Sequence, residues 1–391
     1  MKKVVFLIGG LNFGGMERVV FIAHELLKSI YDVSIVTLYK TNADYNLNFE
    51  VYDLNLPPNK GKFFKAINML KRINAVKQMK KDLKPDIVIS FGMYTNYLNV
   101  LTKESEKIII SIRSYDWLTK PFLTKKIDKW IIGKADSINS VSEIIALGAE
   151  KIWKIDKELN SVIYNPYNVQ YIKELARQEV NQELFLKDYF TIVSAGRLAD
   201  QKGYNHLIKA MSLVIKKYPK VQLIILGNGE RRQDIEKLVD SLEISKNVSL
   251  IGGKKNPYKY MQKADLYVLS SLAEGFPNAL VEAMCVNTPI LATDCKSGPR
   301  EILSLQDFTK VATDVEVCEY GILVPPVSGS KNYDKDHIEK CDELLAKGII
   351  FMIENEKLRR DLAIKSDERV EKFSYDLFKN NMIKELNKFN D

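Results

Sequence analysis

The chain has 391 residues, a length typical of two or three domains, and 46% of them are hydrophobic and 28% charged. This composition predicts a soluble globular protein with sizeable cores. It excludes a membrane-spanning protein, because no apolar run approaches the roughly 20 residues that a membrane helix needs. The four cysteines show no C-x-x-C spacing. They therefore predict reduced thiols in a cytosol and not a disulfide framework or a zinc site.

The net charge of +8 is concentrated in one stretch. Between Lys60 and Lys84, nine lysine and arginine residues accompany one acid, Asp82, so this stretch accounts for the whole excess. It also carries apolar residues at roughly helical spacing, and two interpretations stay open. One is an interfacial helix on an anionic membrane surface, and the other is a domain helix whose lysines are solvated. Nucleic acid is disfavoured because no recognition motif is present.

Strands and helices alternate through the first half of the chain. Near-continuous apolar strands between helical segments predict a parallel sheet covered on both faces. The predicted strands are 2–8, 33–38, 49–54, 86–90, 107–112, 137–141 and 161–164, and the predicted helices are 14–29, 63–81, 94–102 and 124–133.

The alternation stops near Asn165-Pro166, and it restarts at Phe190. We therefore expect a first domain over residues 1–168, a polar linker over 169–188 and a second domain over 189–374. Strands of the second domain are predicted at 190–195, 221–226, 248–251, 266–270, 289–293 and 321–324. The end of the chain reads as helices only. The expected fold class is α/β, with two doubly wound Rossmann-like domains.

The most informative stretch runs from Glu274 to Glu282, after the strand 266–270. Gly275 allows a tight turn, and Pro277 suits the first position of a helix. Free N–H groups at a helix start favour phosphate, and a carboxylate on each side could hold hydroxyl groups. This pattern predicts a nucleotide-sugar site, although two glutamates eight positions apart also occur in ordinary strand-turn-helix units.

Other polar turns follow strands in the same way. Arg197 and Lys202 come after the strand 190–195, where they could bind a diphosphate. Gly253 and Lys254 follow the strand 248–251, and their backbone could meet a base edge. Each of these turns has a plain alternative, a surface loop with solvated cations.

The first strand is followed by a glycine-rich turn, residues 9–18, which opens the first predicted helix. It does not match G-x-G-x-x-G, and no acidic residue follows the second strand, which disfavours an oxidoreductase. Its glycines still allow close backbone approach to a diphosphate.

In this order and spacing, the turns Gly196-Arg197 with Lys202, Gly227-Asn228-Gly229, and Glu274 to Pro277 with Glu282 resemble the retaining glycosyltransferases of family four, in the GT-B superfamily. The resemblance covers nearly the whole chain. It implies two domains facing across a cleft, with the last helix, 375–391, returning to the first domain.

The resemblance also implies roles for individual residues. The donor diphosphate would be held by Arg197 and Lys202, with Gly14 and Gly15 coming from the other domain. The donor sugar would contact Glu274 and the backbone of Gly275, Phe276, Pro277 and Asn278. Phosphate would meet the N–H groups near Leu280, and Glu282 would hold the ribose.

The chain departs from the family's pattern after the strand 107–112. Many members have a histidine there that contacts the donor sugar, and this chain has Arg113 near that place. An arginine can hold developing negative charge, but it cannot carry a proton at neutral pH as an imidazole can. We expect Arg113 to be an active-site residue, to bind an acidic acceptor, or to pair with Asp116.

Two other features are weaker candidates for chemistry. Asp334-Lys335-Asp336 is a D-x-D sequence, which binds a metal in another glycosyltransferase architecture, but here it follows no strand and is interpreted as helix capping. His206 lies within a predicted helix and is interpreted as a packed or surface histidine. We expect no metal and no cofactor, since the nucleotide-sugar is a substrate.

The resulting expectation is a retaining, metal-independent hexosyl- or N-acetylhexosaminyltransferase. It would move a sugar from a UDP-hexose or UDP-N-acetylhexosamine to a lipid-linked or glycan acceptor in surface polysaccharide or glycan assembly. Its expected location is the cytoplasm, with peripheral contact at the inner face of the plasma membrane through Lys60–Lys84. The alternatives are an enzyme similar to UDP-N-acetylglucosamine 2-epimerase, and a membrane-binding module with a degenerate cleft.

Overall fold

The computed structural model describes residues 1–11, 14–39, 50–57, 62–119 and 122–389, leaving aside the side chains of 62–67, 116, 119, 122 and 123. The chain divides into two compact units. One consists of Met1–Pro166 together with Tyr375–Asp391, and the other is Tyr167–Ser374.

The described residues form strands β1 to β14, which are Lys3–Ile8, Asp32–Thr37, Val51–Asp53, Ile87–Phe91, Lys107–Ile112, Ser137–Ser140, Asn160–Val162, Phe190–Ala195, Val221–Leu226, Val248–Leu250, Leu266–Leu269, Ile290–Thr293, Glu316–Val317 and Ile322–Val324. They form helices α1 to α14, which are Gly15–Leu27, Lys62–Leu83, Met93–Leu101, Phe122–Ile132, Glu143–Trp153, Val169–Ala176, Tyr204–Lys217, Arg232–Ser241, Tyr258–Gln262, Asn278–Cys285, Pro299–Leu303, Lys340–Glu354, Glu356–Glu371 and Tyr375–Asn387.

The first unit is built on a parallel sheet in the order β3-β2-β1-β4-β5-β6-β7. Its central strands are continuous apolar runs buried on both faces, as β4 shows with all five residues buried. One face of the sheet packs on α1 and α14, and the other packs on α2 and α3. Right-handed crossovers place α4 and α5 on the same face as α2 and α3.

The structure corrects the expectation that a domain helix in the basic stretch keeps all its cations solvated. Arg72 and Lys80 of α2 are buried, at 6% and 3% exposure. Arg72 donates to Leu56 O at 2.7 Å, and Lys80 pairs with Glu106 at 2.6 Å. These acceptors offset the cost of burying the two cations, because a buried charge without a partner is strongly unfavourable. Lys60 and the side chains of Lys62 and Lys65 lie outside what the structure describes. Among the described side chains of α2 and its end, the exposed cations are Lys71, Lys77, Lys81 and Lys84.

The second unit repeats the architecture with the order β10-β9-β8-β11-β12-β14-β13. Its strands are parallel except for β13, an antiparallel edge strand that the sequence pattern does not predict. One large core cluster joins β8, β9 and β11 to α7, α8 and α12. The fold class predicted from the sequence, two doubly wound α/β units, is confirmed.

The predicted linker at 169–188 is wrong. Residues 169–176 form α6, which begins at Asn168, whose side chain accepts a hydrogen bond from Tyr171 N. Ile172 and Ala176 are buried, and Asn256 Nδ2 donates to Leu175 O at 2.8 Å. The segment is therefore part of the second unit, whose boundary lies at residue 167.

The last helix, α14, belongs to the first unit. Phe378, Met382 and Leu386 join the core beside α1. The carboxylate of Glu385, only 2% exposed, accepts hydrogen bonds from the hydroxyl groups of Ser137 and Ser161 at the β6 and β7 edge. In the part of the chain that the structure describes, no helix has the length and apolar character needed to cross a membrane.

Candidate functional site

Several predicted site residues of the second unit lie where its chain reverses direction across the sheet, between β8 and β11. From β8 the chain proceeds outward through β9 and β10, and it then returns to β11 on the other side of β8. In open parallel sheets, ligands bind at the carboxyl ends of the strands at such a switch point. The two strand ends here are Ala195 and Leu269. Arg197 and Lys202 follow the first, and Glu274 follows the second.

Close packing at Gly203 brings the two loops together. Gly203 has φ +62°, and a Cβ atom there would lie 2.2 Å from Ser270 O. Only glycine fits this left-handed position under a neighbouring carbonyl. Ser270 Oγ also donates to Lys202 O at 2.8 Å. The turn that carries Lys202 is therefore held against the end of β11.

Lys202 and Glu274 form an ion pair in this structure. Lys202 Nζ and Ser271 Oγ both donate to Glu274 Oε1, each at 2.6 Å. Glu274 is 8% exposed, so its charge depends on these donors. Burial, together with the nearby Glu274 carboxylate, raises the pKa of the adjacent Tyr204 hydroxyl. A fixed carboxylate with one oxygen already bonded is suited to accept sugar hydroxyl groups through the other.

Arg197 differs from Lys202 in having no partner among the described residues. Its side chain is exposed, and its guanidinium makes no hydrogen bond or ion pair with the part of the chain that the structure describes. The loop itself is fixed, because Leu198 N donates to Asn228 O at 2.9 Å. The guanidinium of Arg197 is therefore available to bind an anion, whereas Lys202 of the same loop is paired with Glu274.

The glycines of Gly227-Asn228-Gly229 have a structural function under this loop. Cβ atoms at Gly227 and Gly229 would lie 1.8 Å from Gly196 O and 2.3 Å from Leu198 O. Backbone therefore packs directly on backbone below Arg197. Gly253 and Lys254 are exposed beyond Asn228, and the structure gives them no further partner among the described residues.

Helix α10 begins in the predicted turn, with Pro277 at its N-cap position and no side chain capping it. The N–H groups of Leu280 and Val281 already donate to Pro277 O, at 3.1 and 3.4 Å. A phosphate at this helix start would share the Leu280 N–H group or take that of Ala279, one residue earlier. Glu282 lies in the same helix and is 7% exposed.

The loop after β12 braces the turn, and sequence reasoning missed it. Ser297 Oγ donates to Gly275 O at 2.8 Å, and Glu274 N donates to Lys296 O at 3.3 Å. Gly298 has φ +95°, and a Cβ atom there would lie 2.3 Å from Pro277 Cδ. The signal in the sequence is Ser297-Gly298-Pro299, separated by three residues from the end of the buried strand β12.

Two aromatic residues at the boundaries of the second unit also contact the turn. The Tyr167 hydroxyl donates to Asn278 Oδ1 at 2.5 Å. The ring of Phe373 packs edge-on against that of Phe276, with centroids 5.2 Å apart. Nothing near 167 or 373 in the sequence marks these contacts, because each partner lies about a hundred positions away in the chain.

In the first unit, the predicted residues follow strands at the corresponding end of the sheet. Gly14 is the N-cap of α1 and Gly15 its first residue, while Asn12 and Phe13 lie outside the described residues. A Cβ atom at Gly14 would lie 2.2 Å from Glu17 Oε2. Burial raises the pKa of that Glu17 carboxyl group.

Arg113 follows β5 and is half-buried. Its Nε donates to Ser111 Oγ at 2.8 Å and its Nη1 to Asn165 Oδ1 at 2.9 Å, and its guanidinium lies 5.6 Å from the centre of the Phe91 ring. These contacts fix the side chain at the carboxyl end of the sheet. The expected pairing with Asp116 falls on a side chain outside the described residues.

The weaker candidates have structural explanations. Asp334 accepts from Asp336 N at 3.1 Å, which is a local turn contact. His206, Cys341 and Asp342 offer possible metal ligands within 4.8 Å of one another. Both ring nitrogens of His206 are already bonded, however, at 2.6 Å to Asp342 Oδ1 and 3.1 Å to Ser328 O. This group therefore joins α7 to α12 and the loop before it.

Comparison with known proteins identifies the class. Residues 176–317 match the family of glycosyl transferases group 1, and residues 12–142 match the glycosyl transferase 4-like family. An uncharacterised glycosyltransferase of Methanocaldococcus jannaschii is 30% identical over 86% of this chain and 88% of its own length. The chain belongs to the group 1 glycosyltransferases, which have the GT-B fold.

Further relatives and structures agree with this membership. A Campylobacter jejuni 4-alpha-N-acetylgalactosaminyltransferase that acts on a diphospho-undecaprenol-linked sugar is 25% identical over 95% of this chain and 96% of its own length. The crystal structure of HepE from Anabaena in complex with UDP has a TM-score of 0.80 at 17% identity, covering 99% of this chain and 100% of that chain. The structural likeness supports the GT-B fold predicted from the sequence.

Proposed function

We propose that this protein transfers a hexose or N-acetylhexosamine from a UDP-sugar to a lipid-linked or glycan acceptor, with retention of configuration. The observation that carries the proposal is the grouping of Arg197, Lys202 and Glu274 at the switch point of the second sheet, beside the start of α10. Two cations for a diphosphate and one fixed carboxylate for a sugar match the parts of a nucleotide-sugar.

In the proposed reaction, the bond between the anomeric carbon and the diphosphate breaks as Arg197 and Lys202 neutralise the leaving group. Such electrostatic stabilisation of a leaving group is worth several kcal/mol in a site that excludes water. The departing phosphate oxygen takes the proton of the acceptor hydroxyl, which attacks from the same face. No protein nucleophile is required, and the two side-chain cations provide the positive charge that a metal supplies in other transferases.

The ion pair between Lys202 and Glu274 implies a rearrangement when a donor binds. Lys202 Nζ, now 2.6 Å from Glu274 Oε1, would turn toward the diphosphate or be shared with it. Glu274 keeps its bond from Ser271 Oγ and would accept sugar hydroxyl groups. Glu282 is proposed for the ribose, Gly253 and Lys254 for the base, and Gly14, Gly15 and Arg113 for the donor from the first unit.

The acceptor class rests on relatives. The C. jejuni enzyme named above acts on a sugar carried by diphospho-undecaprenol, and a 26% identical Staphylococcus aureus relative, covering 57% of this chain and 44% of its own length, is a poly(ribitol-phosphate) alpha-N-acetylglucosaminyltransferase. Both names describe transfer of an N-acetylhexosamine, in one case to a lipid-linked sugar and in the other to a poly(ribitol-phosphate). We accordingly propose peripheral contact with the inner face of the plasma membrane, with the exposed lysines of α2 contributing.

The test is transfer from a panel of UDP-sugars to polyprenyl-diphosphate-linked glycans, with the product's anomeric configuration read by NMR. The Arg197→Ala/Lys202→Ala protein should lose transfer even with excess donor, whereas Lys246→Ala/Arg360→Ala, which alters exposed cations elsewhere in the second unit, should not. Near-normal transfer rates in Arg197→Ala/Lys202→Ala would contradict the assignment of these two residues to the donor diphosphate. Conversion of the donor sugar to its 2-epimer without any acceptor would instead indicate an epimerase.

A further inference from the structure

Helix α4 exposes large apolar side chains that the fold of the first unit does not use. Ile127 and Trp130 are 57% and 54% exposed, whereas Asp128, Ile131 and Ile132 face the interior. Because residues three positions apart lie on the same side of a helix, Ile127 and Trp130 form one apolar ridge. Two large apolar side chains exposed side by side are unfavourable in water, so the ridge is suited to contact an apolar partner.

The charges around the ridge are all of one sign in the described part of α4 and its end. Lys126, Lys129 and Lys134 are exposed beside it, and the Lys134 ammonium lies 4.0 Å from the centre of the Trp130 ring. The acid of the helix, Asp128, is fully buried and accepts a hydrogen bond from the Tyr97 hydroxyl. A partner with negative charge and an apolar interior would match this face on both counts.

We propose that this face of α4, consisting of Lys126, Ile127, Lys129, Trp130 and Lys134, binds the surface of a bilayer that carries anionic headgroups. Tryptophan favours the boundary between headgroups and acyl chains, and lysines beside it keep their ammonium groups among the phosphates. An amphipathic helix of this kind lies in the plane of the membrane surface. Helix α2 presents fewer cations to a membrane than its sequence suggests, because Arg72 and Lys80 are buried inside the domain.

The functional role of this membrane contact rests on the proposed lipid-linked acceptor, whereas the binding of α4 to the membrane does not depend on it. A helix anchored in the headgroup layer would bring the first unit to the depth at which a lipid-linked diphosphate lies. Vesicle binding is measured without donor or acceptor, so failure of the surface and failure of the proposed activity give separate results.

Intrinsic fluorescence gives a direct readout. The chain has three tryptophans, and Trp117 and Trp153 are buried at 5% and 1% exposure, which leaves Trp130 as the one that a vesicle can reach. We expect a blue shift on adding phosphatidylcholine vesicles that contain phosphatidylglycerol, and little change with phosphatidylcholine alone. Trp130→Phe should remove the shift while the protein still sediments with anionic vesicles.

Variants of α4 distinguish specific vesicle binding by this face from nonspecific adsorption of the protein. Ile127→Ser/Trp130→Ser should weaken vesicle binding by about tenfold or more, since burying one large apolar side chain is worth roughly 1.5–3 kcal/mol. Lys126→Gln/Lys129→Gln should reduce the preference for anionic vesicles. Ile364→Ser, at a 71% exposed position of α13 in the second unit, is the matched control and should bind normally.

Several results would overturn the proposal. These are no binding by the unaltered protein, unchanged binding by Ile127→Ser/Trp130→Ser, or equal binding to vesicles without anionic lipid. A blue shift that grows with protein concentration in the absence of lipid would assign the face to a second copy of the chain instead. Circular dichroism of each variant, compared with Ile364→Ser, checks that the fold is intact.

Discussion

At the scale of single residues, Glu274 and Lys202 divide the proposed work between sugar and diphosphate. Glu274→Gln keeps the shape but removes the charge that fixes Lys202 at 2.6 Å. We expect transfer to fall by about 100-fold or more, the magnitude found when one electrostatic group of an active site is removed, with a much smaller change in UDP affinity. Steady-state rates with UDP calorimetry measure the two effects separately.

Ser271→Ala and Glu236→Gln are the controls for that prediction. Ser271→Ala removes only the neutral donor to Glu274 and should lower the transfer rate a few-fold. Glu236→Gln alters a half-exposed glutamate of α8 that pairs with Arg232, and it should leave the transfer rate unchanged. Equal losses in transfer and UDP affinity for Glu274→Gln would place this carboxylate at the diphosphate and contradict the division of roles.

His206 provides a prediction about pH. Burial alone would lower its pKa, but the hydrogen bond to Asp342, with a contribution from Cys341, outweighs burial and raises the pKa to about 9. Both of its acceptors, Asp342 Oδ1 and Ser328 O, require a ring N–H group, so the ring is charged in the folded protein. The pKa is higher folded than unfolded, so the stabilisation is complete below pH ~6.5 and is lost as pH rises toward 9.

The unfolding free energy of the second unit should therefore fall by on the order of 3 kcal/mol between those pH values. In His206→Gln this loss should be absent and the stability lower throughout. Urea unfolding at three pH values across the window tests this, with His337→Gln, an exposed histidine, as the control. If the unaltered protein and His206→Gln show the same pH dependence of the unfolding free energy, the His206–Asp342 pair is not charged.

At the scale of elements, the turn before α10 is positioned by segments distant in the chain. Tyr167→Phe removes the hydroxyl that holds Asn278 and keeps the ring. One neutral hydrogen bond is worth about 0.5–1.5 kcal/mol, so the donor KM should rise roughly three- to tenfold with kcat less affected. Tyr171→Phe, at a 55% exposed tyrosine of α6, should leave both constants unchanged.

An equal fall in kcat for Tyr167→Phe, with KM unchanged, would contradict a positioning role in donor binding. The stability of the variant serves as a second readout. A large drop in its melting temperature would show that the hydrogen bond mainly supports the fold.

The elements also show what could be predicted from the sequence. The buried parallel strands, such as β4 and β9, were predictable because each is a continuous apolar run. Helix α6 is hard to predict because polar and charged residues make up about half of the segment 169–188, while the helix buries only Ile172 and Ala176. A short helix with one narrow apolar side gives a weak periodic signal.

The site shows the same contrast. Arg197, Lys202 and Glu274 were predictable because polar residues directly after buried strands converge at one end of a parallel sheet. Tyr167, Phe373 and Ser297 were not, because their contacts with the turn depend on tertiary packing over long separations. The burial of Arg72 and Lys80 is not predictable for a related reason, since burial of a cation depends on acceptors such as Glu106 from other elements.

At the scale of the whole molecule, the last helix makes the first unit depend on the end of the chain. Leu386 of α14 is fully buried beside α1. Leu386→Ala should cost about 2–5 kcal/mol, the usual range for such a cavity. Hydrogen exchange followed by mass spectrometry should show faster exchange in β1 and α1 and no change in β8 or β9.

Leu377→Ala, at a 40% exposed position of the same helix, is the control and should change neither unit. Faster exchange in both units with Leu386→Ala would indicate that they unfold as one cooperative body. It would thereby contradict the assignment of this helix to the first unit alone.

The central claim is that the second unit binds the diphosphate of a nucleotide donor through Arg197 and Lys202. Calorimetric titration with UDP, with GDP as a comparison, tests it most directly. The unaltered protein should bind UDP, and Arg197→Ala/Lys202→Ala should bind it about 100-fold more weakly or worse, because each charge-assisted hydrogen bond is worth roughly 1.5–3 kcal/mol. The control Lys246→Ala/Arg360→Ala should bind normally. No UDP binding by the unaltered protein, or equal binding by the Arg197→Ala/Lys202→Ala variant, would contradict the account.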